Sequence, residues 1–349
     1  MEYKFSTLTA IKYLFPISSL AKLRRIQILL NRALIKLVLP IVKFFSMKIV
    51  VTYDSEAKID GTGAQLQRQF GILALSEILG SFYIFSPIKD IAVHPLDPFQ
   101  SHESYLRFIE RLNHEFAFNC HSSLDTKITR TKRILNPSIF TILFLGIMSL
   151  PSRGLTLLKI CEPYRITETF QDFYDLVPNS LKNWAIPQMP EDVMTIAMHF
   201  RQGVGGKAIY PGQKISRELD LDYFIQMVKS IQRESPSSNL RILVLTDAPS
   251  VATSYSPPST QITLWEGTPG YENGVMKIEP FDFSSLNILD CEISIFSGGD
   301  PIEAIRIMCR ADILLMGRSS LSFVAGVLNQ NGRVYIAPDF WHNSLSRWY

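Results

Sequence analysis

The sequence predicts an α/β chain of two domains, each a parallel sheet wound with helices. Three observations predict it. At 349 residues the chain is long for a single hydrophobic core. Short apolar runs that read as strands alternate with amphipathic helical stretches in both halves. Glycine-bearing turns follow Asp60 and Phe200, the kind of turn that doubly wound sheets carry at their ligand-facing edge.

Bulk properties narrow the classes. A net charge of +3 is too small to argue for a nucleic-acid partner. Cys120, Cys161, Cys291 and Cys309 are scattered without a CxxC pair, which predicts reduced thiols in a cytoplasmic protein. The histidines form no HExxH motif or cluster, so no metal site is expected.

Residues 1–46 form a basic, apolar extension. Lysines and arginines such as Arg24, Arg25, Arg32, Lys36 and Lys43 stand against a single acid, Glu2. Lys36, Pro40 and Lys43 interrupt the apolar stretch, so no run approaches the ~18 residues that span a bilayer. No small-residue cleavage site follows it, which argues against a signal peptide. The segment is expected to lie on an anionic membrane surface, with a helix packed on the neighbouring domain, or a short signal-anchor, as the alternatives.

Domain one is predicted over residues 47–190. Lys48–Tyr53 reads as the first strand, Asp60–Gln65 as a turn, and 64–79 as a helix ended by Gly80. Leu66 replaces the third glycine of a dinucleotide fingerprint, so that reading fails. A strand over Phe82–Phe85 and an amphipathic helix over 101–116 follow. The apolar run Ile139–Met148 is expected to be a buried strand or core segment, and 165–186 a helix. Ile186–Asp192, with Pro187 and Pro190, is the expected link.

Domain two is predicted over 191–342, with 343–349 as a tail. Strands are expected at 195–200, 240–247, 262–265, 311–316 and 333–337, with a helix at Leu221–Glu234. Asp300 as N-cap, Pro301 at the first position and Glu303 closing a capping box predict a helix to Arg310. A further helix is expected from about Leu321. The loop Gly203–Lys207 lacks the spacing of a P-loop.

His199 and Arg201 share one face at the carboxyl end of their strand, where open α/β sheets bind ligands. An Arg beside glycines there can grip an anion bidentately. A surface ion pair and a core histidine are the plainer alternative.

Three segments together resemble the inverting fucosyltransferases of the α1,2, α1,6 and protein O-fucosyl types. They are Gly61-Thr62-Gly63-Ala64-Gln65-Leu66, then His199-Phe200-Arg201, then Ala311-Asp312-Ile313-Leu314 followed by Ser319-Ser320-Leu321-Ser322. The resemblance spans roughly residues 47–342. It implies a GT-B fold, two Rossmann-like domains facing a cleft, and metal-independent transfer from GDP-fucose to a glycan acceptor. The same fold with another nucleotide sugar, or an inactive nucleotide- or carbohydrate-binding relative, are the alternatives.

On that resemblance Arg201 neutralises the departing diphosphate, and Ser319 and Ser320 bind it at a helix N-terminus. His199 faces the nucleoside, and Asp247 contacts ribose or guanine or else caps the next turn. Gly61 and Gly63 let the first domain approach the donor, with Gln65 near the cleft and Asp60 placed as a candidate base. Gln202 stands where many relatives have a second Arg.

Overall fold

The computed structural model describes residues 37–349 except 57, 94–95, 100, 119–126, 169, 182–183, 185–192, 203–216, 236–238, 257–270 and 343. Helix α1 (37–46) leads into β1 (Ile49–Tyr53), whose residues are all buried. A strand covered on both faces has no polar side to alternate with, so it reads as a continuous apolar run. Helix α2 (Thr62–Leu79) follows and stops at Gly80, whose φ of 59° lies in the left-handed region that glycine tolerates.

Strand β2 (Phe82–Tyr83), α3 (His102–Glu115), β3 (Ile128–Ile134), α4 (Ile139–Ser149) and β4 (Leu155–Ile160) complete the first lobe. The sheet order is β2-β1-β4-β3, parallel throughout. Short helices α5 (Tyr164–Thr167) and α6 (Val177–Ser180), separated by a 3-10 segment (Gln171–Leu176), lead out of it.

The second lobe begins with β5 (Met194–Phe200), α7 (Leu221–Glu234) and β6 (Leu240–Thr246). A small antiparallel sheet follows, built from β7 (Thr253–Tyr255), β8 (Tyr271–Glu272) and β9 (Val275–Ile278). Then come β10 (Glu292–Ser297), α8 (Pro301–Arg310), β11 (Ile313–Leu315), α9 (Ser320–Leu328) and β12 (Arg333–Tyr335). The main sheet runs β10-β6-β5-β11-β12, again parallel.

Strand order reverses between β1 and β4 in one sheet and between β5 and β11 in the other. Such reversals open a crevice at the strands' carboxyl ends. One continuous core joins Leu66 and Phe70 of α2 to Ile305 and Met308 of α8 and to Phe323 and Val327 of α9. Gly63 makes the closest junction: a Cβ there would lie 2.3 Å from the backbone nitrogen of Leu321, so only glycine lets α2 reach α9. Ion pairs Arg111–Asp300, Glu115–Arg306 (2.7 Å) and Asp175–Arg347 (2.7 Å) also cross from lobe to lobe.

Several expectations need correction. Ile139–Ser149 is a helix capped by Ser138, not a strand; Ile139 and Ile142 join the core as a core segment would, while Phe140, Phe144 and Met148 on the other face are exposed. An unbroken apolar run carries no period, so its type was not encoded locally. The single helix expected over 165–186 is split into α5, the 3-10 segment and α6, with Pro178 in the first turn of α6. Asp300 does cap α8, accepting from the N–H of Ile302, but Glu303 pairs with Arg306 instead of closing a box. Residues 1–36, Cys120, the link 186–192, the loop 203–207 and the strand 262–265 lie outside the described residues.

Candidate functional site

Strand β5 delivers His199 and Arg201 to the crevice, while Phe200 between them turns into the core against Phe224. The Arg201 Nη1 donates to Ser319 Oγ at 2.9 Å, and its Nε stands 3.6 Å from Asp247 Oδ2. The other Asp247 oxygen accepts the Gln202 N–H at 2.8 Å. Asp247 therefore fixes both the guanidinium and the backbone just beyond it. The Arg201 side chain remains 14% exposed.

Ser319 is the N-cap of α9, its Oγ also accepting the Leu321 N–H at 3.2 Å. With both lone pairs engaged, its O–H remains a donor. The first N–H groups of α9 and its positive dipole end open at the same place. His199 is almost fully buried, and among the described residues its Nδ1 has no hydrogen-bond partner. Burial, with the Arg201 charge beside it, pulls its pKa down to about 4 against the smaller opposing pull of Asp247. The imidazole is neutral at neutral pH.

The opposite wall comes from the β1–β4 crevice. Arg68, on α2, is 4% exposed and donates to Asp60 Oδ2 at 2.9 Å, with Glu162 at 3.8 Å. Its Nε and Nη1 are buried without hydrogen-bond partners among the described residues. Burial alone would raise the Asp60 pKa, but the Arg68 guanidinium and the Gly61 N–H outweigh it and lower it, so the carboxylate stays ionised. Lys58 pairs with Glu162 at 3.3 Å on the rim.

These walls enclose a cleft of about 590 Å³. Gly61, Gly63, His199, Arg201, Asp247, Ser319 and Ser320 all line it, although 138 residues separate Gly63 from Arg201. Gln65 does not: it is fully buried, bonded to the Tyr53 hydroxyl and to the carbonyls of Lys58 and Asp90. Asp312 sits at the amino end of β11, where its carboxylate accepts the Thr195 N–H at 2.8 Å and ties β11 to β5.

Sequence reasoning missed Arg68, Glu162, Tyr164, Arg217 and Trp341, which also line the cleft. The Arg217 guanidinium lies over the Trp341 ring, 5.1 Å from its centroid. Only Arg68 carried a signal: a lone cation among Gln65, Gln67 and Gln69 on a helix otherwise too apolar to be solvated. Among the described residues, no group of three or more His, Cys, Asp or Glu side chains is placed to hold a metal ion.

No family model and no curated protein matches the chain. Among solved structures, POFUT1 in complex with GDP-fucose has a TM-score of 0.42 and 12% identity, over 83% of this chain and 97% of that one. POFUT1 in complex with GDP gives 0.40 and 12% over the same shares. The E. coli heptosyltransferase WaaC with ADP-2-deoxy-2-fluoro heptose gives 0.31 and 8%, over 86% and 92%.

Proposed function

We propose that the chain is a metal-independent, inverting glycosyltransferase that takes a sugar from a nucleotide-diphosphate donor, GDP-fucose foremost, and passes it to a carbohydrate hydroxyl. One observation carries this reading: the Arg201 guanidinium meets Ser319, the N-cap of α9, at the β5–β11 crevice on the wall of a cleft between two parallel sheets, the arrangement an anion site would need. Breaking the bond from the anomeric carbon to the diphosphate leaves negative charge on the β-phosphate. Arg201, the Ser319 and Ser320 hydroxyls and the α9 N–H groups receive that charge. Asp247 and Ser319 already hold the guanidinium, so little reorganisation is needed when charge develops.

His199, neutral, hydrogen-bonds the nucleoside without adding charge beside Arg201. Gly63 brings the first lobe's backbone up to the donor site. Asp60, ionised on the facing wall, takes the acceptor's hydroxyl proton; its pairing with Arg68 makes it a weak base, which a good leaving group tolerates. Gln65 acts as a scaffold for the 58–61 loop rather than as a ligand.

The test is thermal unfolding with GDP, UDP and ADP, followed by release of GDP from GDP-fucose. A nucleotide at a hundred times its Kd adds about 2.7 kcal/mol. Stabilisation by UDP or ADP in place of GDP reassigns the donor. No response to any of the three overturns the reading.

A further inference from the structure

Helices α1 and α4 carry a surface that the cleft chemistry leaves unused. On α1, Leu37, Ile41 and Phe44 are exposed at helical spacing on one face. On α4, Phe140, Phe144 and Met148 do the same, each more than half exposed. The two faces adjoin: a Cβ on Gly146 would lie 2.7 Å from the Phe45 carbonyl oxygen, so the end of α1 rests directly on α4. Isolated exposed apolar residues are ordinary, but two adjacent stripes of large ones mark a contact surface.

The two segments that bear this surface carry charge of one sign. Residues 37–53 and 127–161 contain no Asp or Glu at all, and Lys43, Lys127, Arg130, Lys132 and Arg153 stand exposed within them. Of the cations in β3, Arg133 is the one paired among the described residues, with Asp54 at 2.8 Å. No helix among the described residues is long and apolar enough to cross a bilayer. An apolar face set among unbalanced cations fits an anionic lipid surface, with the aromatic rings at the acyl boundary and the lysines and arginines among the headgroups. None of these apolar side chains lines the cleft, and α1 and α4 both end at the amino edge of the sheet, opposite the crevice.

We infer that the joint α1–α4 face seats the protein on an anionic membrane surface, with α4 inserting its phenylalanines. The inference does not depend on the transferase reading.

The full chain is sedimented with vesicles of phosphatidylcholine alone and of phosphatidylcholine with phosphatidylglycerol. Binding is expected for the anionic vesicles only, reduced about tenfold by Phe140→Ser with Phe144→Ser, and reduced again by Arg130→Glu with Lys132→Glu. Nucleotide-induced thermal stabilisation of the variants should equal the parent's, which separates this test from that of the cleft. A second reporter, Phe144→Trp, should shift its emission to the blue when anionic vesicles are added. Undiminished binding by the Phe140→Ser, Phe144→Ser variant would place the attachment in residues 1–36 alone and overturn the inference. So would an unshifted Trp emission, or a dimer in solution that the same substitutions abolish, since the face would then be covered by a second copy.

Discussion

Both walls of the cleft present a guanidinium, and they hold it in opposite ways. On the second lobe, Arg201 is held by one hydroxyl and, at 3.6 Å, one carboxylate, and it keeps 14% of its side chain open. On the first lobe, Arg68 is 4% exposed, 2.9 Å from Asp60 and 3.8 Å from Glu162. The partners of Arg201 orient it without neutralising it fully, so it retains charge for a ligand. Those of Arg68 commit its charge to organising the 58–61 loop. On the proposed reading, two crevices of the same topology thus divide the work of binding and support.

The largest effect that could break this division is at Arg201. Arg201→Ala should lower turnover by roughly 10²–10³, the scale for loss of one preorganised charge stabiliser. Arg201→Lys should recover little of it, because an ammonium cannot reach Ser319 and a phosphate in one planar fork. Steady-state release of GDP measures both, and near-parental turnover by either variant removes Arg201 from the chemistry. Arg68→Met should act on stability instead. It strands Asp60 in a half-buried setting while Glu162 keeps Lys58 at 3.3 Å, at a cost of about 2–3 kcal/mol, below the full value for a deeply buried pair because Asp60 keeps 25% of its side chain in solvent. Urea denaturation of Arg68→Met, Asp60→Asn and the double variant gives the coupling directly. A coupling under about 0.5 kcal/mol would show that the two do not act together.

How much of this was readable in the chain follows from what each feature depends on. Helix α7 matches its predicted bounds because its apolar positions, Phe224, Ile225, Val228 and Ile231, repeat at helical spacing and Asp220 caps it. His199 and Arg201 were legible because a strand's two-residue period and a following glycine turn are both local. Arg68 was not, since its partners lie 8 and 94 residues away and a single Arg on a helix ordinarily faces water. Strand β3, with Arg130, Lys132 and Arg133 in seven residues, carries no apolar alternation; it is a strand because β4 offers it an edge. Gln65 is expected in the turn that resembles the fucosyltransferases, yet it lies in the first turn of α2 and its hydrogen bonds run inward to Tyr53 and two carbonyls. A motif locates a turn without saying which way each side chain leaves it.

Gly63→Ala would sharpen the comparison at the seam between the walls. The added Cβ meets backbone, not a flexible side-chain end, so α2 and α9 must separate. A loss of about 1–3 kcal/mol is expected, with weaker nucleotide binding, since the shift opens the cleft at Ser320 and Leu321. Unchanged denaturation would mean the junction yields freely.

The smallest effect concerns His199, the neutral group beside the charged one. Its pKa is about 4 in the folded chain and about 6.5 unfolded. Between those values the unfolded chain binds a proton that the folded chain does not, so the histidine costs no stability above about pH 6.5 and costs progressively more as pH falls toward 4. The whole shift corresponds to about 3 kcal/mol, and relaxation around a protonated ring brings the expected loss to about 1–2 kcal/mol. His199→Gln removes the titration, so its stability should fall less than the parent's between about pH 7 and about pH 4.5. Parallel losses would mean the ring titrates normally. Nucleotide affinity of the parent and of His199→Gln should run in parallel across the upper part of that window, because the nucleotide's terminal phosphate titrates alike for both and no positive charge arises next to Arg201 until the ring finally protonates. A break in affinity near pH 6.5 in the parent alone would show instead that the second wall tolerates two cations, and that Asp247 balances more charge than its distance from Arg201 implies.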